Sequence, residues 1–271
     1  MKKYIPILMV LLTFCSVGCK DVQKDENKRT VGEPTEQKSN TGKGSAEAIL
    51  TEAITAHGGV LYDDAYYQFI FRDKLYSFNN QNGYVYTLKA KDSVGNQIND
   101  TLRNGNFSRA VNGELVPLSP KEVAIHSNAL NSVIYFALIP YKLNDTAVLK
   151  EYEGETSING EDYDVVSITF EEEGGGKDHD DIFMYWIHKT SHFVNYLAYS
   201  YEVNGGGVRF RSAYNPSTVD GIRFQDYINW EAPLRTPLKK LPSLFEAGQL
   251  KELSKIENQE IQNLNPSKIQ E

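Results

Sequence analysis

The sequence predicts an α+β fold in which a strongly curved antiparallel sheet, an open half-barrel, wraps over helices; an up-and-down β-barrel is the alternative. Three observations carry this expectation. Short runs rich in aromatic and β-branched residues recur through the chain, and Asn-Gly dipeptides of the hairpin-turn type separate several of them. One helical pattern precedes those runs. One long apolar segment, residues 121–139, interrupts them midway.

The leading helix is read over Ser45–His57. Ser45 is placed to cap it, Ala46, Leu50, Ala53 and Ile54 share a face, and Gly58-Gly59 stop it. His57 reads as a C-terminal residue whose charge suits the helix dipole. Strand-like runs follow at Tyr66–Arg72, Leu75–Phe78, Tyr84–Lys91 and Asn106–Val111, with turns at Asn82-Gly83, Asn104-Gly105 and Asn112-Gly113. In residues 121–139, Val123, Leu130, Val133, Ile134, Phe136, Ala137 and Leu138 cover most sides of a helix. That pattern predicts a buried helix plugging the concave face of the sheet and ending at Pro140.

The sheet then resumes at Thr156–Ile158 and Tyr163–Phe170, flanking Asn159-Gly160, and at Ile182–His188, Phe193–Val203, Val208–Tyr214 and Ile222–Trp230. In the last two runs one face is apolar and the other polar, with Asp226 the exception on the apolar side. The polar stretch from 258 to 271 reads as a flexible tail, so the folded domain is expected at 46–257.

The N-terminus has the three parts of an export signal. Lys2 and Lys3 precede an apolar core at Ile5–Phe14, shorter than the roughly 20 residues that span a bilayer. Ser16, Val17 and Gly18 lead into Cys19 and resemble the lipobox of bacterial lipoproteins, with Ser16 where Leu is usual. The resemblance implies a signal peptide at 1–18, acylation of Cys19, and loss of Cys15 with the signal; an ordinary cleaved signal is the alternative. No cysteine would then remain for a disulfide or a thiolate metal site. Residues 19–45 have few apolar side chains and read as a disordered tether. Lys20-Asp21 also resembles the short charged export signals of surface-exposed Bacteroidetes lipoproteins. The expected location is the outer membrane, lipid-anchored on its periplasmic face or at the cell surface.

The net charge of −8 argues against nucleic-acid phosphates or anionic lipid as electrostatic partners. Asp178, His179 and Asp181 form a candidate metal cluster in a glycine-rich stretch, for which a solvated turn is the plainer reading. The chain lacks the HExxH, GxSxG, P-loop and GxGxxG motifs, so no catalytic residue and no cofactor is predicted. Arg209 and Arg211 share a strand face, with Arg223 on the next strand, and could clamp a carboxylate or phosphate; salt bridging to acidic neighbours is favoured. Tyr135, Phe136, Trp186 and Tyr199 are candidates to line an apolar ligand cavity, with ordinary core packing favoured over it.

The mature sequence resembles an uncharacterised family of Bacteroidetes lipoproteins. The resemblance lies in AHGG from Ala56, NSVIYFALIPYKLND from Asn131, VSITFEEEGGGKDHDDIFMYWI from Val166, LAYSY from Leu197 and GGVRFRSAYN from Gly206. It implies no established activity. The inferred architecture is similar in shape to the lipoprotein-carrier fold, an open half-barrel closed by helices around an apolar cavity. The functional expectation is a noncatalytic, lipid-anchored envelope protein that binds an apolar or amphipathic ligand such as a lipid. An interaction module of an envelope complex and a metal-dependent hydrolase are the alternatives.

Overall fold

Helix α1 (Ala46–His57) begins where Ser45 Oγ accepts a hydrogen bond from the Ala48 N–H at 3.2 Å, and it ends at Gly58, whose φ of 141° few L side chains adopt. The computed structural model describes residues 45–171, 181–202 and 205–265. Ala46, Ile49, Leu50, Ala53 and His57 are the buried residues of α1.

Two seven-stranded antiparallel sheets make up the body. The first holds β1 (Tyr66–Phe71), β2 (Lys74–Asn79), β3 (Val85–Lys91), β4 (Gln97–Arg103), β5 (Asn106–Val111) and β6 (Glu114–Leu115) in chain order. Helix α2 (Pro120–Ala137) follows, and then β7 (Val148–Ile158), β8 (Glu161–Phe170), β9 (Ile182–His188), β10 (Val194–Tyr201), β11 (Gly207–Val219) and β12 (Ile222–Ala232) of the second sheet. A short helix α3 (Leu241–Glu246) precedes β13 (Lys251–Ile256), which pairs with β12. The chain then crosses to the first sheet, where β14 (Gln259–Asn263) pairs with β1. The chain links the two sheets through this crossing, and they form an open half-barrel, not a closed barrel.

Hairpin chemistry explains much of the order. Asn104-Gly105, Asn112-Gly113 and Asn159-Gly160 each have both φ angles positive, which a two-residue type I′ turn requires. Asp220-Gly221 does the same between β11 and β12. Strand β4 lacks a clean apolar alternation because Asp100 takes a core-facing place at 1% exposure. Its charge is met by Arg109 on β5, through Nε to Oδ1 at 2.6 Å and Nη2 to Oδ2 at 2.7 Å. Arg109 Nη1 also donates to His126 Nε2 on α2 at 2.9 Å, tying the helix to the sheet.

Four sequence expectations change. The first is α2, which lies on the concave side as expected but is not buried all round. Only Leu130 and Ile134 are buried, and its packing partners are β2 to β5 of the first sheet. The apolar residues counted around it include Val133 and Phe136, which are only partly buried: each packs against core on one side and borders a cleft on the other. A capping box does fix its start: Ser119 N–H donates to Glu122 Oε2 at 2.8 Å, and Glu122 N–H to Ser119 Oγ at 3.4 Å.

The second is the flexible tail expected from 258, whose residues 259–263 are β14, paired through Tyr67 with Asn263 and Gln68 with Gln262. The polar sequence hid a strand because β14 lies at a sheet edge, where few of its side chains are buried. The third is the polar face of β11 and β12, which is not solvent-exposed. Residues of α1 and β7 to β10 pack on that concave side, while Trp186, Phe210, Leu238, Leu241 and Leu250 fill a second core on the convex side under α3. Asp226, the exception to the pattern, is 6% exposed. Its Oδ1 accepts from the Asn258 N–H at 2.9 Å and its Oδ2 from Asn215 Nδ2 at 2.7 Å, so it holds the crossing between β13 and β14.

The fourth is His57, which carries no charge for the helix dipole. It is fully buried, its Nδ1 donates to Ala53 O at 2.9 Å, and desolvation lowers its pKa from the ordinary 6.5 to about 4. A folded pKa below the unfolded one means the unfolded chain takes the proton first as pH falls. Stability is therefore full above 6.5 and drains toward pH 4. The loss is about 3 kcal/mol at roughly 1.4 kcal/mol per pH unit. Urea midpoints of wild type and His57→Leu across that window should show a pH slope that the substitution reduces. Ending the chain at Asn258 removes β14, and at about 1 kcal/mol per ladder hydrogen bond should cost on the order of 2–4 kcal/mol in the same measurement.

Candidate functional site

Strand parity decides which side chains meet on the concave face. On β9, Phe183, Tyr185 and Ile187 point inward and Met184 and Trp186 outward. On β10, Leu197 and Tyr199 point inward. Arg211 on β11 lies directly opposite Asn229 on β12, which places both on this face beside Tyr227.

The aromatic side chains form a connected group. The Phe183 ring lies 5.4 Å from Tyr199 and 5.7 Å from Phe170, and Phe136 of α2 lies 5.7 Å from Tyr199. Tyr135 meets Phe136 edge-on at 5.7 Å. The Arg211 guanidinium stands 3.8 Å over the Phe136 ring and 5.2 Å over Tyr199, and its Nη2 donates to Tyr199 Oη at 3.0 Å.

Two clefts flank α2. The larger, about 400 Å³, lies between α2 and the inner faces of both sheets, walled by Tyr84, Tyr86, Leu102, Phe136, Phe170 and Phe183, with Asn128 and Asn131 on its helix side. That volume falls within the roughly 300–1,000 Å³ of small-molecule sites. The smaller, about 220 Å³, lies on the β11–β12 side of the same helix, and Ser132 and Phe136 border both. Burial pushes the Tyr86, Tyr185 and Tyr227 phenols up, so they remain neutral hydroxyls at any physiological pH.

Of the predicted ligand residues, Tyr135, Phe136, Tyr199 and Arg211 come together here. Trp186 does not: it is 1% exposed in the convex-side core, 5.6 Å from Phe210. Arg209 shares the face of Arg211 but sits further along the strand, where it donates to Tyr201 Oη at 2.8 Å and pairs with Glu231 at 3.3 Å. Arg223 lies over Phe193 at 3.9 Å, away from Arg211, so the three arginines form no clamp. Asp178 and His179 of the metal candidate lie outside the described residues, as do Cys19, the N-terminal signal and all of the tether but Ser45. Among the described residues no three His, Cys, Asp or Glu side chains cluster as a metal site. No helix among them is long and apolar enough to cross a membrane.

The sequence reading missed Tyr86, Phe170, Phe183 and Asn229. Parity with Tyr185 could have selected Phe183; Asn229 needed the β11–β12 register, which the sequence does not print.

The fold is an open half-barrel with clefts on its concave face. The chain belongs to DUF6503, a family of unknown function, whose model matches residues 45–258. A LolA superfamily protein from Nitrosomonas europaea is similar in structure at 13% identity, with a TM-score of 0.50, over 80% of this chain and 93% of that one. A DUF1329 family protein from Desulfovibrio piger shares 10% identity over 83% and 95% of the chains, at a TM-score of 0.43. A Vibrio parahaemolyticus domain assigned to outer membrane lipoprotein sorting shares 9% over 82% and 93%, at 0.37. No curated protein matches the sequence.

Arg211 and Asp100 give contrasting stability predictions. Arg211 is buried without a carboxylate partner among the described residues, so Arg211→Met should leave the unfolding midpoint unchanged or raise it. Asp100→Ala strands the Arg109 charge and should cost about 3 kcal/mol by chemical denaturation.

Proposed function

We propose that the protein is a noncatalytic, lipid-anchored envelope protein whose concave face binds an apolar or amphipathic ligand such as a lipid. The observation that carries the reading is the 400 Å³ cleft beside α2, aromatic along its sheet walls. A protein of this size ordinarily fills its interior to near-crystalline density. Here α2 buries only Leu130 and Ile134 on the inner side of the first sheet and leaves the cleft open between itself and the second.

Cys19, at the end of an apolar export segment, is the residue that would carry the anchor, and residues 20–44 the reach from the membrane. An outer-membrane location, on the periplasmic face or the cell surface, follows from that reading. The fold shared with a LolA superfamily protein is consistent with it.

The test is mass spectrometry of the purified protein under native and then denaturing conditions, with organic extraction of the same sample. A hydrophobic molecule retained in the first and released in the second is the expected result. Filling the cleft by Leu102→Trp should reduce the retained species severalfold. A bare mass from protein purified without detergent, together with no uptake of added lipid, overturns the reading.

A further inference from the structure

The smaller cleft holds an unmatched positive charge. Arg211 is 7% exposed, and among the described residues its Nε and Nη1 have no hydrogen-bond partner. Among those residues only Nη2 makes a hydrogen bond, to the Tyr199 hydroxyl. A buried guanidinium is expensive to desolvate and is ordinarily compensated by a carboxylate. Its register partner on β12, Asn229, is an amide whose shielded Oδ1 also lacks a partner among the described residues.

Charge around the cleft is biased as well. Its lining holds Arg211 at depth and exposed Arg72 at the β1–β2 turn, and no Asp or Glu. This is notable in a chain whose net charge is −8. Arg209 and Arg109, by contrast, have acidic partners at 3.3 and 2.6 Å. The remaining walls include Phe71, Val133 and Ile256, which offer an apolar surface alongside the cationic floor.

We infer that Arg211 is the head-group subsite of the concave face and that the ligand is an acidic amphiphile. Its carboxylate or phosphoryl group takes the free Arg211 N–H donors, and its apolar chain lies against Phe136 and the neighbouring walls. This rests on the reading of the concave face as a ligand site, and it adds the sign of the head group. Arg72 at the rim supplies a second positive charge for the approach. A charge-assisted hydrogen bond in such a shielded place has a large effect on affinity, because the acid replaces solvent that the guanidinium has already lost.

The experiment uses the full chain with Cys19→Ala, so that no attached acyl chain competes, and titrates dodecanoate, dodecyl phosphate and dodecanol by calorimetry. Acetate and inorganic phosphate are titrated separately. The expected result is that either acidic amphiphile binds roughly tenfold to a hundredfold more tightly than dodecanol, the range for one charged hydrogen bond of 1.5–3 kcal/mol. Acetate and phosphate alone should bind far more weakly than the amphiphiles.

Asn229→Asp is the decisive variant. It places a carboxylate opposite Arg211 in register, so it should raise the unfolding midpoint and collapse the preference for the acidic ligands toward one. Arg211→Met should collapse it as well, and its unfolding midpoint verifies that it is folded. Equal binding of dodecanol and dodecanoate by the wild type overturns the head-group assignment and leaves the cavity reading standing. Binding of inorganic phosphate as tight as dodecyl phosphate overturns the amphiphile assignment in favour of a free anion. No binding of any amphiphile overturns both.

Discussion

The architecture depends on one crossing. Strand β13 leaves the edge of the second sheet, and two residues later the chain is β14 on the edge of the first. Asp226, buried on β12, fixes that passage by accepting from the Asn258 backbone and from Asn215. The crossing links the edge strands of two sheets that remain separate hydrogen-bonded units. Joined here, they curve around a shared interior. The β11–β12 end reinforces the joint, because Ile222 and Phe224 pack among Tyr67 and Phe78 of the first sheet and Tyr67 donates to Val219 O at 3.1 Å.

That curvature creates an interior that α2 does not fill. The helix is bound to the first sheet by Leu130, Ile134 and the His126–Arg109–Asp100 chain of hydrogen bonds. Its other flank is left to face Phe183 and Tyr199 on one side and Arg211 on the other. Phe136 is the pivot of this arrangement, packing near three aromatic rings and directly under the Arg211 guanidinium. The convex side of the second sheet has the opposite character: Trp186, Phe210 and the α3 segment close it as ordinary core. The concave side is packed too, against α1, but only that side borders the two clefts beside α2, which is the physical basis for placing ligand binding there.

The family match ends at residue 258, just before β14. The segment beyond it nonetheless closes the first sheet against β1 and lies outside the pattern by which family membership is recognised. Membership in a family without a known activity gives no mechanism, and a shared half-barrel does not fix a ligand. The functional reading therefore rests on what this chain's own residues do in the cavity.

What the sequence determined by itself is local: α1 with its Ser45 cap, the Asn-Gly hairpins, and most strands with clear aromatic and β-branched content. Backbone conformation and turn chemistry set these within a few residues, so they can be read without knowing the fold. Half of the candidate site was legible in the same way, through Tyr135, Phe136, Tyr199 and Arg211. The tertiary structure alone decided the rest. Trp186 and Tyr185 are adjacent in sequence and equally buried, yet they belong to separate cores on opposite faces of the sheet, and which face also borders a cleft depends on what packs across it. Strand β14 and the role of Asp226 were illegible for a related reason: a polar edge strand and a buried acid acquire meaning only through partners about 200 and 30 residues away in the chain. Arg211 shows the limit most clearly. Its residue type suggested an ion pair, and only the β11–β12 register revealed an amide where the carboxylate would have been.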